Sequence, residues 1–325
     1  MKPKLLNVCT TDPFLNLARE EWLLLHAEEG AVALCLWQNE RTVVIGRNQD
    51  AFAECDLAAL EREGGHLARR LSGGGAVYHD LGNLNFTFLT RGAQDVPRHL
   101  EMIRRALAPF GIRAEISGRN DLTAEGAKFS GNAYYRSGDC AYHHGTLLVR
   151  TDLDALQRCL TPDRQKLAAK GVASVRSRVT DLTSLCPSLT VPALREALGE
   201  AFGAEYGRPP EPLPAVPDAE LGVLREKYAG DAWRFRPTGP DAYHSPVLRL
   251  PMGLCRLRLW TRDGRVSEAR LETDALETAW SEKAAEALDG LPFAPADVRA
   301  ALEAAGLFAL LPLLSGFGEG DGGRE

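Results

Sequence analysis

The sequence predicts a mixed α/β protein, in which a large domain built on a mixed sheet is followed by a small α+β domain. The chain has 325 residues, and because a single hydrophobic core rarely grows to that size, about two domains are expected. Helix-periodic segments alternate with short strand-like runs along most of its length. An irregular segment at residues 236–241 separates the last strands and helices from the rest. These observations place the two domains at residues 1–240 and 245–325.

The composition is that of an ordinary globular protein and argues against several classes. Hydrophobic residues make up 45% and charged residues 25% of the chain, unlike a disordered, collagen-like or coiled-coil protein. The net charge of −6 argues against nucleic-acid binding, which needs a clustered positive field. Seven scattered cysteines without a Cys-x-x-Cys pair suggest neither a zinc site nor a disulfide framework. The sequence also has no apolar run of membrane-spanning length, so we expect no membrane association and a reducing, cytoplasmic setting.

The first helix is predicted at residues 13–28, because Thr11 or Asp12 can cap it. Strand-like runs follow at 31–37 and 42–45, and the polar residues between them favour a β-hairpin. Further helices of the large domain are predicted at 51–63, 95–110, 152–159, 191–205 and 218–229. Further strands are predicted at 66–71, 76–79, 83–89, 114–116, 128–135 and 145–149.

Two stretches are predicted to lack regular structure. Residues 209–217 contain five prolines, which break helices and strands alike, and residues 316–325 are rich in glycine and acidic residues. The small domain lies after the first of these stretches and includes the second. It is predicted to contain strands at 247–250, 254–261 and 265–271 and helices at 275–289 and 294–305.

The strongest local motif is a run of three glycines at 73–75, which lies between two strand-like runs and follows Arg69 and Arg70. Glycine lets backbone N–H groups approach a ligand closely, and such concave backbone binds anions. The alternative is a flexible hairpin turn beside two solvated arginines. The motif is not a dinucleotide fingerprint, because Tyr78 occupies the place of its last glycine.

A second group of polar residues follows further along the chain. Asn120 and Asp121 stand in a turn beside a strand, where they could bind ribose hydroxyls or a hydrated Mg²⁺. Lys128 precedes an apolar strand and would by itself be an ordinary surface lysine. The segment 164–180 carries five basic residues and no acid, which indicates either an anionic ligand or a solvated helix face.

The adjacent histidines His143 and His144 look like a metal-binding pair only at first sight. Neighbouring side chains on a strand point to opposite faces, so the two rings cannot easily bind one ion. We therefore expect one histidine to be packed and the other exposed.

Taken together and in order, these motifs resemble the lipoate–protein ligase family. The resemblance covers residues 13–182 and continues more weakly towards the C-terminus. The segments that carry it are 13–21, 37, 46–48, 69–80, 118–122, 128–131, 143–148 and 166–182.

The resemblance implies the fold shared by biotin and lipoate protein ligases, with a small and mobile C-terminal accessory domain. It implies an enzyme that uses ATP and Mg²⁺ to convert lipoate, or octanoate, into an acyl-adenylate with release of pyrophosphate. The acyl group would then pass to a lysine of an apo lipoyl domain. Such domains occur in the E2 subunits of 2-oxoacid dehydrogenases and in the glycine cleavage H protein.

The resemblance also implies roles for individual residues. Lys128 would be the catalytic cation, and Asp121 would be a Mg²⁺ ligand. The acyl pocket would be bordered by Leu17, Trp37, Ser72, Val77 and His79. The nucleotide and the acyl-adenylate would be bound by Arg70, Ser72, Gly73, Gly74, Gly75, Ala76, Val77, Tyr78, Asn120, Asp121, Lys128 and Lys170.

Three alternatives remain at this stage. An octanoyl or lipoyl transferase would use a preformed acyl donor through a cysteine thioester, but no cysteine lies in residues 118–122, where such relatives place it. A biotin protein ligase would carry a basic, glycine-rich biotin loop, which the sequence lacks. A non-catalytic lipoate-binding paralogue is the third. The chain also departs from the family at Leu71, where many members have serine, and over 236–243, where the usual inter-domain sequence is poorly matched.

Overall fold

The computed structural model describes residues 1–118, 121–161, 179–213, 216–236 and 239–318. Within these ranges, the α-helices lie at Pro13–Leu25, Ala51–Glu54, Leu57–Arg62, Val96–Leu107, Leu153–Cys159, Val191–Glu205, Asp218–Ala229, Asp231–Arg234, Ala279–Leu288 and Pro295–Ala304. Short 3₁₀ segments lie at Ala108–Phe110, Leu182–Ser184 and Phe308–Leu314. None of these helices is long and apolar enough to cross a membrane.

The centre of the molecule is a mixed sheet of eight strands. The strands are β1 (Lys2–Asn7), β2 (Ala31–Trp37), β6 (Asn83–Arg91), β7 (Ala114–Ser117), β8 (Asp121–Ala124), β9 (Ala127–Ser137), β10 (Cys140–Leu148) and β11 (Glu211–Pro212). Their order in the sheet is β11-β1-β2-β6-β10-β9-β8-β7. Strands β11, β1 and β2 run parallel to one another, and every later pair along the sheet is antiparallel.

A second sheet of three strands packs beside the first, with β3 (Thr42–Ile45) between β4 (His66–Arg69) and β5 (Val77–His79). The predicted hairpin between 31–37 and 42–45 is therefore wrong. Strand β2 pairs with β1 and β6, whereas β3 pairs with β4 and β5. The chain leaves the large sheet between β2 and β3, where the buried Asn39 is hydrogen-bonded to Asn16.

Hydrophobic clusters cover both faces of the large sheet. One cluster joins Phe86 and Phe88 of β6 to the helices Val96–Leu107 and Val191–Glu205. The opposite face carries Trp37 and Tyr142, which pack with helices Pro13–Leu25 and Asp218–Ala229. Successive side chains of a strand point to opposite faces. Since β6 is buried along most of its length, it contributes side chains to both cores.

The C-terminal unit has its own sheet and its own core. Strand β14 (Gly253–Arg262) is central, with β15 (Arg265–Thr273) on one side and β12 (Tyr243–His244) and β13 (Leu248–Leu250) on the other. Its leucine-rich cluster includes residues of both later helices and of the 3₁₀ segment Phe308–Leu314. This supports the predicted α+β unit, whereas the domain boundary at 240–245 stays a prediction.

Two further predictions need correction. Residues 2–7 form β1, which was not predicted, because this stretch begins Lys-Pro-Lys and has only two adjacent apolar residues after it, Leu5 and Leu6. The proline-rich run is not wholly irregular, since Glu211 and Pro212 pair with Lys4 and Leu5 in parallel. Pro212 is tolerated there because β11 is an edge strand.

The two adjacent histidines do point to opposite faces of β10, but the prediction that one is exposed is wrong. His143 and His144 are both buried. The Nδ1 atom of His143 lies 3.3 Å from Nδ1 of His99, and the two rings are stacked. Burial lowers the pKa of His99 to about 4 and that of His143 well below its ordinary value.

These buried histidines predict acid sensitivity. A histidine with a lowered pKa in the folded state takes up its proton more readily in the unfolded state. Its stabilising effect is therefore complete above pH 6.5 and is lost as the pH falls towards 4. For His99 the loss is about 2 kcal/mol between pH 7 and pH 5. Urea unfolding at both pH values should show a smaller loss of stability in His99→Phe than in the wild-type protein.

His66→Gln is the matched control, because His66 is exposed. Its unfolding free energy should depend on pH as that of the wild-type protein does. An unchanged pH dependence in His99→Phe would contradict the assignment of acid sensitivity to this buried pair.

Candidate functional site

The three-glycine motif forms a turn that connects the two outer strands of the small sheet. Gly74 has a φ of +88°, a conformation that favours glycine. Gly46, at the end of β3, passes so close that a Cβ atom there would lie 2.3 Å from the Gly74 carbonyl oxygen. A Cβ atom at Gly75 would meet nothing within 4 Å. The turn is thus packed tightly on one side and open on the other.

Arg70 organises this turn from inside. Its side chain is buried, and its Nη2 donates to the carbonyl oxygens of Gly73 (2.7 Å) and Gly75 (2.8 Å). Its Nη1 donates to the Val44 carbonyl at 3.0 Å and its Nε to the Ser72 hydroxyl at 3.0 Å. Burial lowers the pKa of Arg70 to about 10, so it remains protonated at neutral pH. The carbonyl groups of Gly73 and Gly75 are therefore satisfied within the protein.

Arg69 is buried as well, and its partners are also carbonyl oxygens. Its Nη1 donates to Gln49 (2.6 Å) and Arg47 (3.0 Å), and its Nη2 donates to Arg234 (2.7 Å). Arg69 is thus neither a solvated arginine nor one that faces the pocket. It joins β4 to the loop after β3 and to the end of the helix Asp231–Arg234.

A pocket of about 130 Å³ lies between the glycine turn and the large sheet. Side chains of the first helix, of both sheets and of the turn meet there. It is lined by Leu17, Trp37, Val44, Arg70, Gly74, Gly75, Ala76, Val77, His79, Asn85, Lys128, Gly131, Asn132, Ala133, His144, Gly145 and Thr146.

A chain of hydrogen bonds runs beneath the pocket, starting from its aromatic wall. Trp37 Nε1 donates to the Thr87 hydroxyl at 2.9 Å, and this hydroxyl donates to Glu20 Oε1 at 2.7 Å. Glu20 is buried on the first helix. The chain fixes the indole, because a buried indole N–H needs a partner.

From Glu20 the chain continues to the glycine turn. Glu20 Oε1 lies 2.8 Å from His144 Nδ1, and His144 Nε2 lies 2.8 Å from the Ser72 hydroxyl. Ser72 also accepts from Arg70. Helix, sheet and turn are therefore joined by one continuous set of buried polar contacts.

Lys128 lies at the open part of the pocket. Its Nζ forms an ion pair with Asp121 Oδ1 at 2.7 Å, and its side chain is 40% exposed. A Cβ atom at Gly131 would lie 3.1 Å from this Nζ, so glycine at that position leaves room for the ammonium group. Lys128 is thus a partly solvated cation held by a single carboxylate among the described residues.

Two buried polar atoms in the pocket wall have no partner among the residues that the structure describes: His79 Nε2 and Asn85 Nδ2. Asn39 Nδ2 donates to His79 Nδ1 at 3.2 Å, and burial lowers the pKa of His79 to about 3. The ring is therefore neutral with its proton on Nε2. Both unpartnered atoms are donors, and buried donors without partners are uncommon.

The C-terminal unit touches the turn directly. Gly74 N donates to the Ala275 carbonyl oxygen at 3.0 Å. A Cβ atom at Gly73 would lie 2.2 Å from the same oxygen and 2.5 Å from that of Leu276. Nearby, Thr273 N donates to the Asn48 carbonyl at 2.9 Å. Residues 273–276 therefore cap one side of the turn.

The structure brings most of the predicted site residues into the one pocket. Two predicted residues of the turn, Ser72 and Gly73, lie just behind its lining, and Tyr78 belongs to a separate cluster with Val43 and Ile45. Asn120 and Lys170 lie outside the described residues. Those that line the pocket are Leu17, Trp37, Arg70, Gly74, Gly75, Ala76, Val77, His79 and Lys128.

Sequence reasoning assigned no role to several lining residues. His144 was noticed only as half of an apparent metal pair. Asn132 pairs with Gly145, and its Oδ1 lies 3.1 Å from Nε2 of His143 on the phenylalanine side of the sheet. Asn85 alternates with the buried Phe86 on β6, which places its side chain on the pocket side. That alternation was a usable signal. Glu20 is buried on the first helix among mostly apolar residues, and this position was the only signal for it in the sequence.

No group of three or more metal-ligating side chains is found among the described residues. Asp121, the predicted Mg²⁺ ligand, is instead paired with Lys128. No cysteine lines the pocket. Burial raises the pKa of Cys35 to about 12, and Cys140 is also buried with a raised pKa, so both thiols are poor nucleophiles.

Solved structures resemble the chain over most of its length. Plasmodium falciparum LipL1 in complex with lipoate matches with 25% identity and a TM-score of 0.79, covering 93% of this chain and 94% of that one. A bipartite lipoate protein ligase of Thermoplasma acidophilum, described with its E2 lipoyl domain, matches with 28% identity and a TM-score of 0.64 over 75% and 100% of the two chains. Lipoate–protein ligase A bound with ATP matches with 28% identity and a TM-score of 0.63 over 72% and 99%.

Residues 12–203 match the family described as lipoyl protein ligase A/B catalytic domain. This segment holds the small sheet, six of the eight strands of the large sheet, the glycine turn and Lys128, and it spans more than half of the chain. The chain therefore belongs to the lipoyl protein ligase A/B catalytic domain family.

Proposed function

We propose that this protein is an ATP-dependent lipoate–protein ligase. It activates lipoate, or octanoate, to an acyl-adenylate with release of pyrophosphate. It then transfers the acyl group to a lysine of an apo lipoyl domain. The observation that carries the proposal is that the glycine turn and Lys128 line the same pocket as Leu17 and Trp37.

The two ends of the pocket suit the two parts of such a substrate. Leu17, Trp37 and Val77 offer apolar surface to an acyl chain. Gly75 and Lys128 offer a backbone N–H and an ammonium group to the carboxylate and phosphate oxygens. The buried Nε2–H of His79 is a further donor for an acyl substrate.

This reaction requires the protein mainly to supply positive charge and to position the two reacting groups. A carboxylate that attacks the α-phosphate brings two anions together, and both must be held in line. Lys128 can neutralise charge on both groups, because its ammonium group lines the pocket, is 40% exposed and is paired with Asp121 only at its edge. In the second half-reaction the same ammonium group can stabilise the charge that develops on the acyl carbonyl oxygen as the lysine attacks.

Magnesium fits this site only together with substrate. Mg²⁺ is commonly bound by one or two carboxylates plus substrate phosphates, and Asp121 is the carboxylate at this place. We keep Asp121 as the proposed protein ligand. The ion would supply charge neutralisation for the phosphate chain, and Lys128 would then be released from its pairing.

A transferase that works through a cysteine thioester is less well supported. The pocket contains no cysteine, and the buried thiols have raised pKa values. The lipoyl-domain partner and the nucleotide are proposed from the resemblance and from the relatives, which are described with ATP and with an E2 lipoyl domain.

Lys128→Met should fold normally and form no acyl-adenylate. The side chain is at the surface of the pocket, so its loss removes charge and little packing. Loss of one preorganised donor lowers such a rate by about 10²–10³-fold. Pyrophosphate release from ATP and lipoate, in the absence of a lipoyl domain, measures the step. A wild-type rate of release in this variant would refute the role of Lys128.

Gly75→Ala tests the open side of the turn. No atom lies within 4 Å of the new Cβ, so the melting temperature should stay within a few degrees of the wild-type value. The methyl group would stand between the turn and its ligand. We expect kcat/KM for lipoate to fall by about tenfold or more, in line with 1.4 kcal/mol of lost binding per factor of ten.

Gly222→Ala is the control, since that glycine is exposed on a helix with no neighbour within 4 Å. It should keep full activity and be slightly more stable. Equal activity in Gly75→Ala and Gly222→Ala would show that the turn does not approach the substrate.

A further inference from the structure

A second crevice, separate from the acyl pocket, lies between the large domain and the C-terminal unit. Its volume is about 490 Å³. Three arginines reach it from different elements: Arg47 follows β3, Arg236 follows the helix Asp231–Arg234, and Arg270 lies on β15. Two glutamates, Glu268 and Glu282, also line it.

Glu268 and Glu282 act on Arg236 electrostatically but do not contact it. Its guanidinium group has no hydrogen bond or ion pair to any residue that the structure describes, and it lies 5.5 Å from the centre of the Trp233 ring. Burial, together with repulsion from Arg47 and Arg270, lowers its pKa to about 10. Its backbone has a φ of +47°, which is costly for a residue with a side chain.

Among the residues that the structure describes, the other two arginines each pair with one carboxylate. Arg47 pairs with Glu282 at 3.0 Å, and Arg270 pairs with Glu268 at 2.6 Å. Both glutamates are about half exposed, at 53% and 41%, whereas the arginines are 21% and 17% exposed. Exposed ion pairs contribute little free energy, so the glutamates can swing into water when another anion takes their place.

Arg69 adds to the positive field of this region. It is buried without a carboxylate partner, and repulsion from Arg236 and Arg270 adds to burial in lowering its pKa to about 9. Three arginines and two surface carboxylates thus line the crevice. Asp50 and Glu272 offset part of the charge of Arg69 beside it. Clustered, partly desolvated guanidinium groups are the arrangement that proteins use to bind phosphate groups through several N–H donors.

We propose that this crevice is a binding site for a small, multiply charged oxyanion of the phosphate or pyrophosphate class. The anion would be held by Arg236, Arg47 and Arg270. Because these residues come from both sides of the crevice, a bound anion would also tie the C-terminal unit to the large domain. The proposal does not depend on the reaction catalysed in the acyl pocket.

The recessed position of the arginines favours a small anion over an acidic protein surface. Arg47 and Arg270 are mostly buried, and Arg236 is partly buried. A carboxylate on a folded partner would have to enter a crevice of about 490 Å³, whereas pyrophosphate fits within it. Ser281 and Asn48 in the lining add neutral polar groups beside the charges.

Calorimetric titration of the full chain with pyrophosphate at low ionic strength tests the proposal. It is done in the Lys128→Met background, so that binding in the acyl pocket is weakened, and in the wild-type protein. Arg236→Gln and Arg270→Gln should each weaken binding by about tenfold or more, because each removes a charge-assisted contact. Arg262→Gln, at an exposed arginine of the same unit, should leave the affinity unchanged.

Inorganic phosphate serves as a second probe and should bind more weakly at the same residues. If pyrophosphate does not bind the Lys128→Met protein, or binds Arg236→Gln with unchanged affinity, the proposal is wrong. It is also wrong if only an acidic lipoyl domain, and no small anion, binds in a way that Arg236→Gln abolishes. Circular dichroism melting of each variant checks folding, and Arg47→Gln replaces any variant that fails to fold.

Discussion

The site depends on two guanidinium groups that are buried against carbonyl oxygens. Arg70 holds the carbonyls of Gly73 and Gly75, and Arg69 holds those of the loop after β3 and of the end of the helix Asp231–Arg234. Hydrogen bonds to charged groups contribute about 1.5–3 kcal/mol each, which offsets the cost of burying the charge. Two of the three glycine carbonyls are therefore held against the protein by a buried cation. An anion-binding turn built on glycine alone would lack this support, because glycine gives the backbone no preferred direction.

The buried polar chain extends this constraint across the molecule. Through Ser72 and His144 the turn is joined to Glu20 on the first helix, and through Thr87 to the indole of Trp37. Each of these groups is buried, so removing one leaves a neighbour without a partner. The apolar end and the charged end of the pocket are thus fixed relative to each other by side chains of the first helix, the large sheet and the glycine turn.

The sequence was most informative where neighbouring residues determine the local structure. The three glycines after two arginines, the capped first helix and the alternating strands of the C-terminal unit all appear in the structure near their predicted positions. It was least informative about strand pairing. Whether β3 pairs with β2 or with β4 depends on contacts with residues 66–69, and no local feature of 31–45 encodes them. For the same reason, His144 could be predicted to lie on a strand, but its contact with Glu20, 124 residues away in the chain, could not be predicted.

The contact at Ala275 links the two units through the same turn. The N–H of Gly74 is already bonded to the Ala275 carbonyl oxygen, so an anion that used this donor would have to displace residues 273–276. One exchanged hydrogen bond is worth about 1 kcal/mol, and coupling of this kind is reciprocal between the two events. Docking of the C-terminal unit would then weaken anion binding at Gly74, and anion binding there would loosen the docking. The oxyanion proposed for the arginine crevice would act in the opposite sense, because it would draw Arg270 of the C-terminal unit towards Arg47 and Arg236. Anions bound at the glycine turn and in the crevice would then have opposite effects on the docking of the C-terminal unit.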